Sequence, residues 1–198
     1  NLGKRGFNVR IKDSIKAGQA LLRGEKIPSK FVTQEHVPLV DLIDFSLVIN
    51  HFHFYLLPNI ENIIPIFIQK LNNGFAKYFN FIHNRKDAVF GSRYKSVVVK
   101  TELQSHAVGR YVSIINPLDV FQSGWREEGL KNWEKAFEFL ENYEFSSFPD
   151  RVGQRNSGIL ASSEIMERYS FSSSRKGREE YQEFVKEFLK ERSQNKFS

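Results

Sequence analysis

Between Pro38 and Pro58 apolar and β-branched residues dominate, and the run over residues 39–57 predicts a strand. Residues 62–80 (NIIPIFIQKLNNGFAKYFN) switch to helical spacing, with Phe67, Leu71, Phe75 and Phe79 among the apolar positions. Pro65 falls in the first turn of that helix, where its missing N–H costs nothing. A polar connection over residues 84–90 leads to residues 93–100 (RYKSVVVK), a β-branched string that predicts a strand. Thr101 then offers an N-cap with Glu102 just inside it. The helix so opened should end near Pro117, because a proline biases its predecessor out of the helical region.

Residues 132–143 (NWEKAFEFLENY) predict a further helix with an aromatic face, and residues 145–156 a connecting loop. Near the start, residues 14–23 (SIKAGQALLR) carry a weaker helical pattern. Residues 170–178 (SFSSSRKGR) are Ser-rich and basic and read as a linker. Beyond them, residues 179–192 form an amphipathic helix with Tyr181, Phe184, Val185, Phe188 and Leu189 on one side. That helix is free to dock on the body, pair with a partner or stand in solvent. No internal repeat is evident.

Composition narrows the class. The 198 residues suit one domain with an appendage. Its 19 Phe supply much of a core, each worth roughly 1.5–3 kcal/mol when buried. The absence of Cys excludes disulfides and thiolate metal sites and fits a reducing, cytoplasmic setting. No run of about 18 apolar residues suggests a membrane helix, and no secretory signal opens the chain. The net charge of +6 leans towards a phosphate-rich partner. The chain begins at Asn1 without a Met, so natural residues are expected to precede it.

The most informative string is Asn50-His51-Phe52-His53-Phe54. On a strand, side chains at i and i+2 share a face, about 6.6–7 Å apart along the backbone. Two imidazoles at that spacing can converge on one divalent ion, with Phe52 and Phe54 turned the other way into a core. The bland alternative is a pair of histidines on a half-exposed sheet face without metal. Arg93 and Lys95 share a face of the next predicted strand. They fit phosphate contacts or an ordinary solvated surface equally well. Tyr94, on the opposite face, reads as packing, as do Tyr78 and Phe79. His83 and His106 read as surface histidines, and Gln104 has no evident role.

Four ordered blocks carry a resemblance: LVINHFHFYLLP, IPIFIQKLNNGFAKYFN, FGSRYKSVVVKTE and GRYVSIINPLD, with YEFSS at residues 143–147 as a fifth, shorter one. Over about residues 1–150 the chain resembles the single-tyrosine HUH transposases, specifically the REP-associated tyrosine transposase branch. The resemblance implies an α+β fold, a ferredoxin-like antiparallel sheet with helices on one face, over residues 1–150. Residues 151–198 would be a C-terminal loop and helical extension. It implies His51 and His53 holding Mg²⁺ or Mn²⁺ against a scissile phosphate in single-stranded or hairpin DNA, with Tyr111 as nucleophile. Attack would leave a 5′-phosphotyrosine link and a free 3′-hydroxyl, and strand transfer would be the reverse reaction. Arg110, beside the nucleophile, joins Arg93 and Lys95 as an expected DNA contact. Nucleoid association in the cytoplasm follows, and a homodimer is left open.

Two departures from the family pattern stand out. The family's Asn of Asn-Pro falls four residues after the nucleophile, one helical turn along the same face. Here Asn116 falls five residues after Tyr111, which a regular helix would turn away by about 140°. Either a local bulge restores its aim or Asn116 is not the third metal ligand. Asn1-Leu2-Gly3 resembles the end of the family's first strand, so that strand is expected to lie before residue 1. A domesticated, non-catalytic binder of structured nucleic acid is the rival reading. A small phosphoesterase would want a second His motif, and a zinc hydrolase a third ligand at zinc-like spacing. Neither is found.

Overall fold

A computed structural model describes residues 38–169 and 174–194, together with Arg23 and Glu25. The helix expected over residues 14–23 (Arg23 apart), the strand end at Asn1-Leu2-Gly3 and the first half of the expected linker lie outside the described residues. The apolar run after Pro38 folds not as one strand but as a hairpin of β1 (Val40–Leu47) and β2 (Phe52–Pro58). Strands average five or six residues, so a run of this length turns back on itself, here through Val48, Ile49 and Asn50. The Val48 N–H donates to the His51 carbonyl at 2.9 Å, and the Asn59 N–H to that of Leu39 at 3.1 Å. The described residues are thus α+β, with a two-stranded antiparallel sheet and several helices.

The described residues divide into two compact units. Residues 38–41 and 57–98 form the smaller, and residues 42–56, 99–169 and 174–194 the larger. In the smaller unit, α1 (Ile63–Ile82) has Pro65 in its first turn, as the spacing predicts. Asn62 precedes it in the left-handed region at φ 55°, which asparagine tolerates. Only Ile63 and Ile68 of this helix are buried. Phe79 is half-buried, with its ring stacked on Phe75 at 5.9 Å and 4.3 Å from His83. Residues 93–100 form no strand, contrary to the expectation from their composition. Branched side chains favour a pleated surface only when a partner strand supplies one, and Val97 and Val98 are exposed.

The larger unit opens its helical part with α2 (Glu102–Arg110). Thr101 Oγ1 accepts from the Gln104 N–H at 3.2 Å, and Gln104 Oε1 accepts from the Lys100 N–H at 2.8 Å. Gln104 therefore completes a reciprocal cap, a role not evident from the sequence. Nor does the helix stop at Pro117. It passes through a π-helical turn (Tyr111–Ile115) into α3 (Asn116–Phe121), where Pro117 occupies the first turn of the restarted segment. Proline needs no N–H there, so the chain continues helical. Short helices α4 (Trp125–Glu128), α5 (Trp133–Asn142), α6 (Phe148–Arg151) and α7 (Ser163–Tyr169) follow.

The last helix, α8 (Arg175–Gln194), starts inside the expected linker. It docks on the body, burying Tyr181, Val185 and Leu189 in one cluster with Leu118, Phe137 and Phe148. The segment after α5 lies along the free edge of β1. Ser46 and Ser146 form an antiparallel bridge, Leu47 N–H donates to Phe145 O at 2.8 Å, and Tyr143 Oη donates to Leu47 O at 2.6 Å. The short aromatic-Ser-Ser string is thus a structural element of this unit. No helix among the described residues is long and apolar enough to cross a membrane.

Candidate active site

The hairpin turn delivers His51 to the start of β2, and strand alternation puts His53 and Tyr55 on its face. The two imidazoles meet edge to face with centroids 4.9 Å apart. Phe52 and Phe54 pair on the other face at 4.9 Å, half-buried. Buried Tyr55, on the histidine face, shares a 2.8 Å hydrogen bond with Ser105 of α2. That contact docks the helix bearing Tyr111 against the histidine side of the strand.

His51 Nδ1 lies 2.6 Å from Asn50 Oδ1. An amide oxygen only accepts, so Nδ1 carries a proton; in the neutral ring that leaves the lone pair on Nε2, the tautomer a cation would need. His53 is half-buried, and its Nε2 is buried with no hydrogen-bond partner. Its pKa is pushed below the ordinary histidine value. Burial is the main cause, followed by the nearby His51 and Arg126, against a smaller opposing pull from Asp119. A half-buried imidazole whose pKa is lowered, with an unsatisfied nitrogen, is suited to ligation.

Tyr111 is the next ring. It stands edge-on to His53 at 5.4 Å and is 40 % exposed, so a substrate can reach it. Tyr55 and Tyr181 are buried in this unit and out of reach. Ser113, two residues on, donates to the Gly109 carbonyl at 2.7 Å and lies 3.2 Å from the Tyr181 hydroxyl, which fixes the π-helical turn to α8. Within that turn the Asn116 N–H reaches back five residues to the Tyr111 carbonyl. The extra residue per turn reduces the angular offset between Tyr111 and Asn116 from about 140° to roughly the 40° of an ordinary i, i+4 pair. The local bulge that the spacing left open is present. Asn116 is buried, and its Nδ2 has no partner.

Two residues that sequence reasoning missed complete the cluster. Asp119, three residues after Asn116, grips the Arg126 guanidinium with both oxygens, at 3.0 Å from Nε and 2.6 Å from Nη2. Trp125 Nε1 donates to the same carboxylate at 2.8 Å. The guanidinium carbon lies 5.8 Å from the centre of the Tyr111 ring. A helix expected to end at Pro117 hid Asp119, although i, i+3 spacing from Asn116 was the available signal. Nothing local marks Arg126.

The remaining expected site residues lie apart from this cluster or outside its unit. Arg110 packs its guanidinium over Phe184 of α8, 5.7 Å from the ring centre. Arg93 and Lys95 are exposed in the smaller unit, as is Tyr94 at 39 %. His83 and His106 are exposed, as expected. Among the described residues no three His, Cys, Asp or Glu side chains could share an ion. No protein-family model, curated protein or solved structure matches the chain.

Proposed function

We propose that this protein is a metal-dependent, single-tyrosine strand transferase of the HUH type, acting on single-stranded or hairpin DNA. The observation that carries the proposal is the ring contact between His53 and Tyr111 at 5.4 Å, on the face where His51 stands 4.9 Å from His53. The donor set fits a cation. Two neutral imidazoles and an amide suit Mn²⁺ and tolerate Mg²⁺, and His53 Nε2 is buried without another partner. Such an ion polarises a phosphate oxygen when bound. The finer fold we assign is a ferredoxin-like sheet with helices on one face, and nucleoid association goes with the same reading.

The chain's own residues do the rest. Tyr111 Oη attacks phosphorus, and its proton passes to water. The P–O3′ bond breaks, and the departing 3′-oxygen takes up a proton to become a hydroxyl. DNA is left joined to Tyr111 through its 5′-phosphate. The broken bond's energy is kept in the phosphotyrosine link, so an incoming 3′-hydroxyl reverses the step without ATP. His51 and His53 orient the phosphate, and the π-helical turn aims Asn116 along the face of Tyr111. Arg93, Lys95 and Arg110 are assigned to flanking phosphates.

The test is a labelled hairpin with a single-stranded flank, incubated with the full-length protein and Mn²⁺ or with EDTA. A cation-dependent protein–DNA adduct that survives denaturing electrophoresis is expected. Tight hairpin binding with no adduct under any cation would replace the proposal with a non-catalytic structured-nucleic-acid binder.

A further inference from the structure

Arg126 is over-determined for a residue on the surface. Its side chain is 39 % exposed and that of its partner Asp119 42 %. Exposed ion pairs contribute little to stability. Yet this one uses a bidentate fork, and Trp125 Nε1 fixes the carboxylate in turn. The fork consumes two of the five guanidinium N–H groups and leaves three. The fork therefore fixes where the guanidinium sits, with Cζ 5.8 Å from the centre of the Tyr111 ring and 5.6 Å from that of Trp125.

The surroundings sharpen the point. The hydrogen bond to Asp119 leads the causes that raise the Arg126 pKa, and attraction to the nearby Tyr111 phenol adds to it. A cation held by the two imidazoles would repel the fixed guanidinium. An anion between them removes that conflict, and a phosphodiester attacked by Tyr111 is such an anion.

We propose that Arg126 is a further catalytic residue of this site, placing a fixed positive charge on the phenolic oxygen of Tyr111 and the phosphate it attacks. Asp119 and Trp125 are its positioning residues. The inference rests on the strand-transfer reading. Its charge opposes the negative charge that gathers on the attacking phenolic oxygen and on phosphorus's equatorial oxygens. It does the same for the phenolate that leaves when a 3′-hydroxyl resolves the link, so both directions depend on it. Because the guanidinium is already held, no reorganisation is needed as charge develops.

The experiment measures single-turnover rates of adduct formation and of adduct resolution by an excess 3′-hydroxyl strand. It uses full-length wild type, Arg126→Gln, Arg126→Lys, Asp119→Asn and, as a surface-charge control, Arg175→Gln. Hairpin affinity and thermal unfolding are followed in parallel. Removal of one preorganised donor slows chemistry by about 100- to 1,000-fold. We expect Arg126→Gln to lose about that much in both directions, with hairpin affinity changed less than about tenfold. Arg126→Lys should recover part of the rate by restoring charge, and Asp119→Asn should fall between. Arg175→Gln should match wild type. Wild-type rates in Arg126→Gln, a loss confined to affinity, or an equal loss in the Lys variant would overturn the assignment while leaving the strand-transfer reading standing. Absence of an adduct from wild type with every hairpin would remove both.

Discussion

Replacing Asp44 by Asn removes the carboxylate that grips the buried Arg151 guanidinium. Asp44 is fully buried in β1, and the side chain of Arg151 is 5 % exposed. Asp44 Oδ1 accepts from Arg151 Nε at 2.6 Å and from Ser147 Oγ at 2.6 Å, while Oδ2 takes a further bond from Arg151 Nη2. Breaking one side of such a pair costs about 3–5 kcal/mol, because the remaining charge stays buried. For a chain of this size each kcal/mol moves the midpoint by roughly 2–4 °C, so a fall of about 6–20 °C is expected. Both tryptophans, Trp125 and Trp133, lie in the same unit as the pair, so their fluorescence reports its unfolding directly. The double variant Asp44→Leu/Arg151→Met, which removes both charges, should recover most of the loss. The pair also bears on the site. A Cβ on Gly109, two residues before Tyr111, would sit 3.4 Å from Asp44 Oδ2, so α2 approaches the ion pair closely there. A midpoint for Asp44→Asn within about 4 °C of wild type would refute the buried, compensated pair.

Calorimetric titration of Mn²⁺ should give one site in wild type and a marked loss in His51→Ala; equal binding by both would remove the site. The lowered pKa of His53 carries a sign. Above about pH 6.5 neither state holds a proton there. As pH falls towards the lower folded value, the unfolded chain takes one up and the folded chain does not, so stability drops. Unfolding of wild type and His53→Gln from pH 8 to 5 should show wild type losing more; parallel curves would contradict the shift. Hairpin DNA with a single-stranded flank should bind more tightly than duplex of equal length. Arg93→Ala and Lys95→Ala should each flatten the salt dependence, by about one unit of slope if one phosphate is lost. Duplex binding as tight as hairpin binding would refute that preference.

Local signals were the legible ones. Thr101 and Glu102 fix the start of α2 because a cap is made by neighbours in the chain. The histidine pair was readable because strand alternation has a period of two and needs no knowledge of the rest of the fold. What depended on a distant partner was not. Residues 93–100 have strand composition, but composition cannot say whether a neighbouring strand is present, and they form neither strand nor bridge. The five-residue step from Tyr111 to Asn116 posed a bulge-or-no-bulge choice that spacing could not resolve; the π-helical turn resolves it. The same misplacement of the helix end at Pro117 hid Asp119, and through it Arg126, whose relevance exists only once β2 and the helices meet. Docking of α8 was one of three open alternatives because an amphipathic face announces burial but not against what.

The account turns on Tyr111, and one comparison tests it most directly. Full-length wild type, Tyr111→Phe and Tyr94→Phe are each incubated with a 5′-labelled or 3′-labelled hairpin and Mn²⁺, then separated under denaturing conditions. Tyr111→Phe removes a hydroxyl that is 40 % exposed at the residue level, so folding and hairpin binding should persist. The predicted result is an adduct carrying the 3′ portion of the DNA in wild type and Tyr94→Phe, with none in Tyr111→Phe. An adduct that survives in Tyr111→Phe would contradict the account and move the chemistry to another side chain.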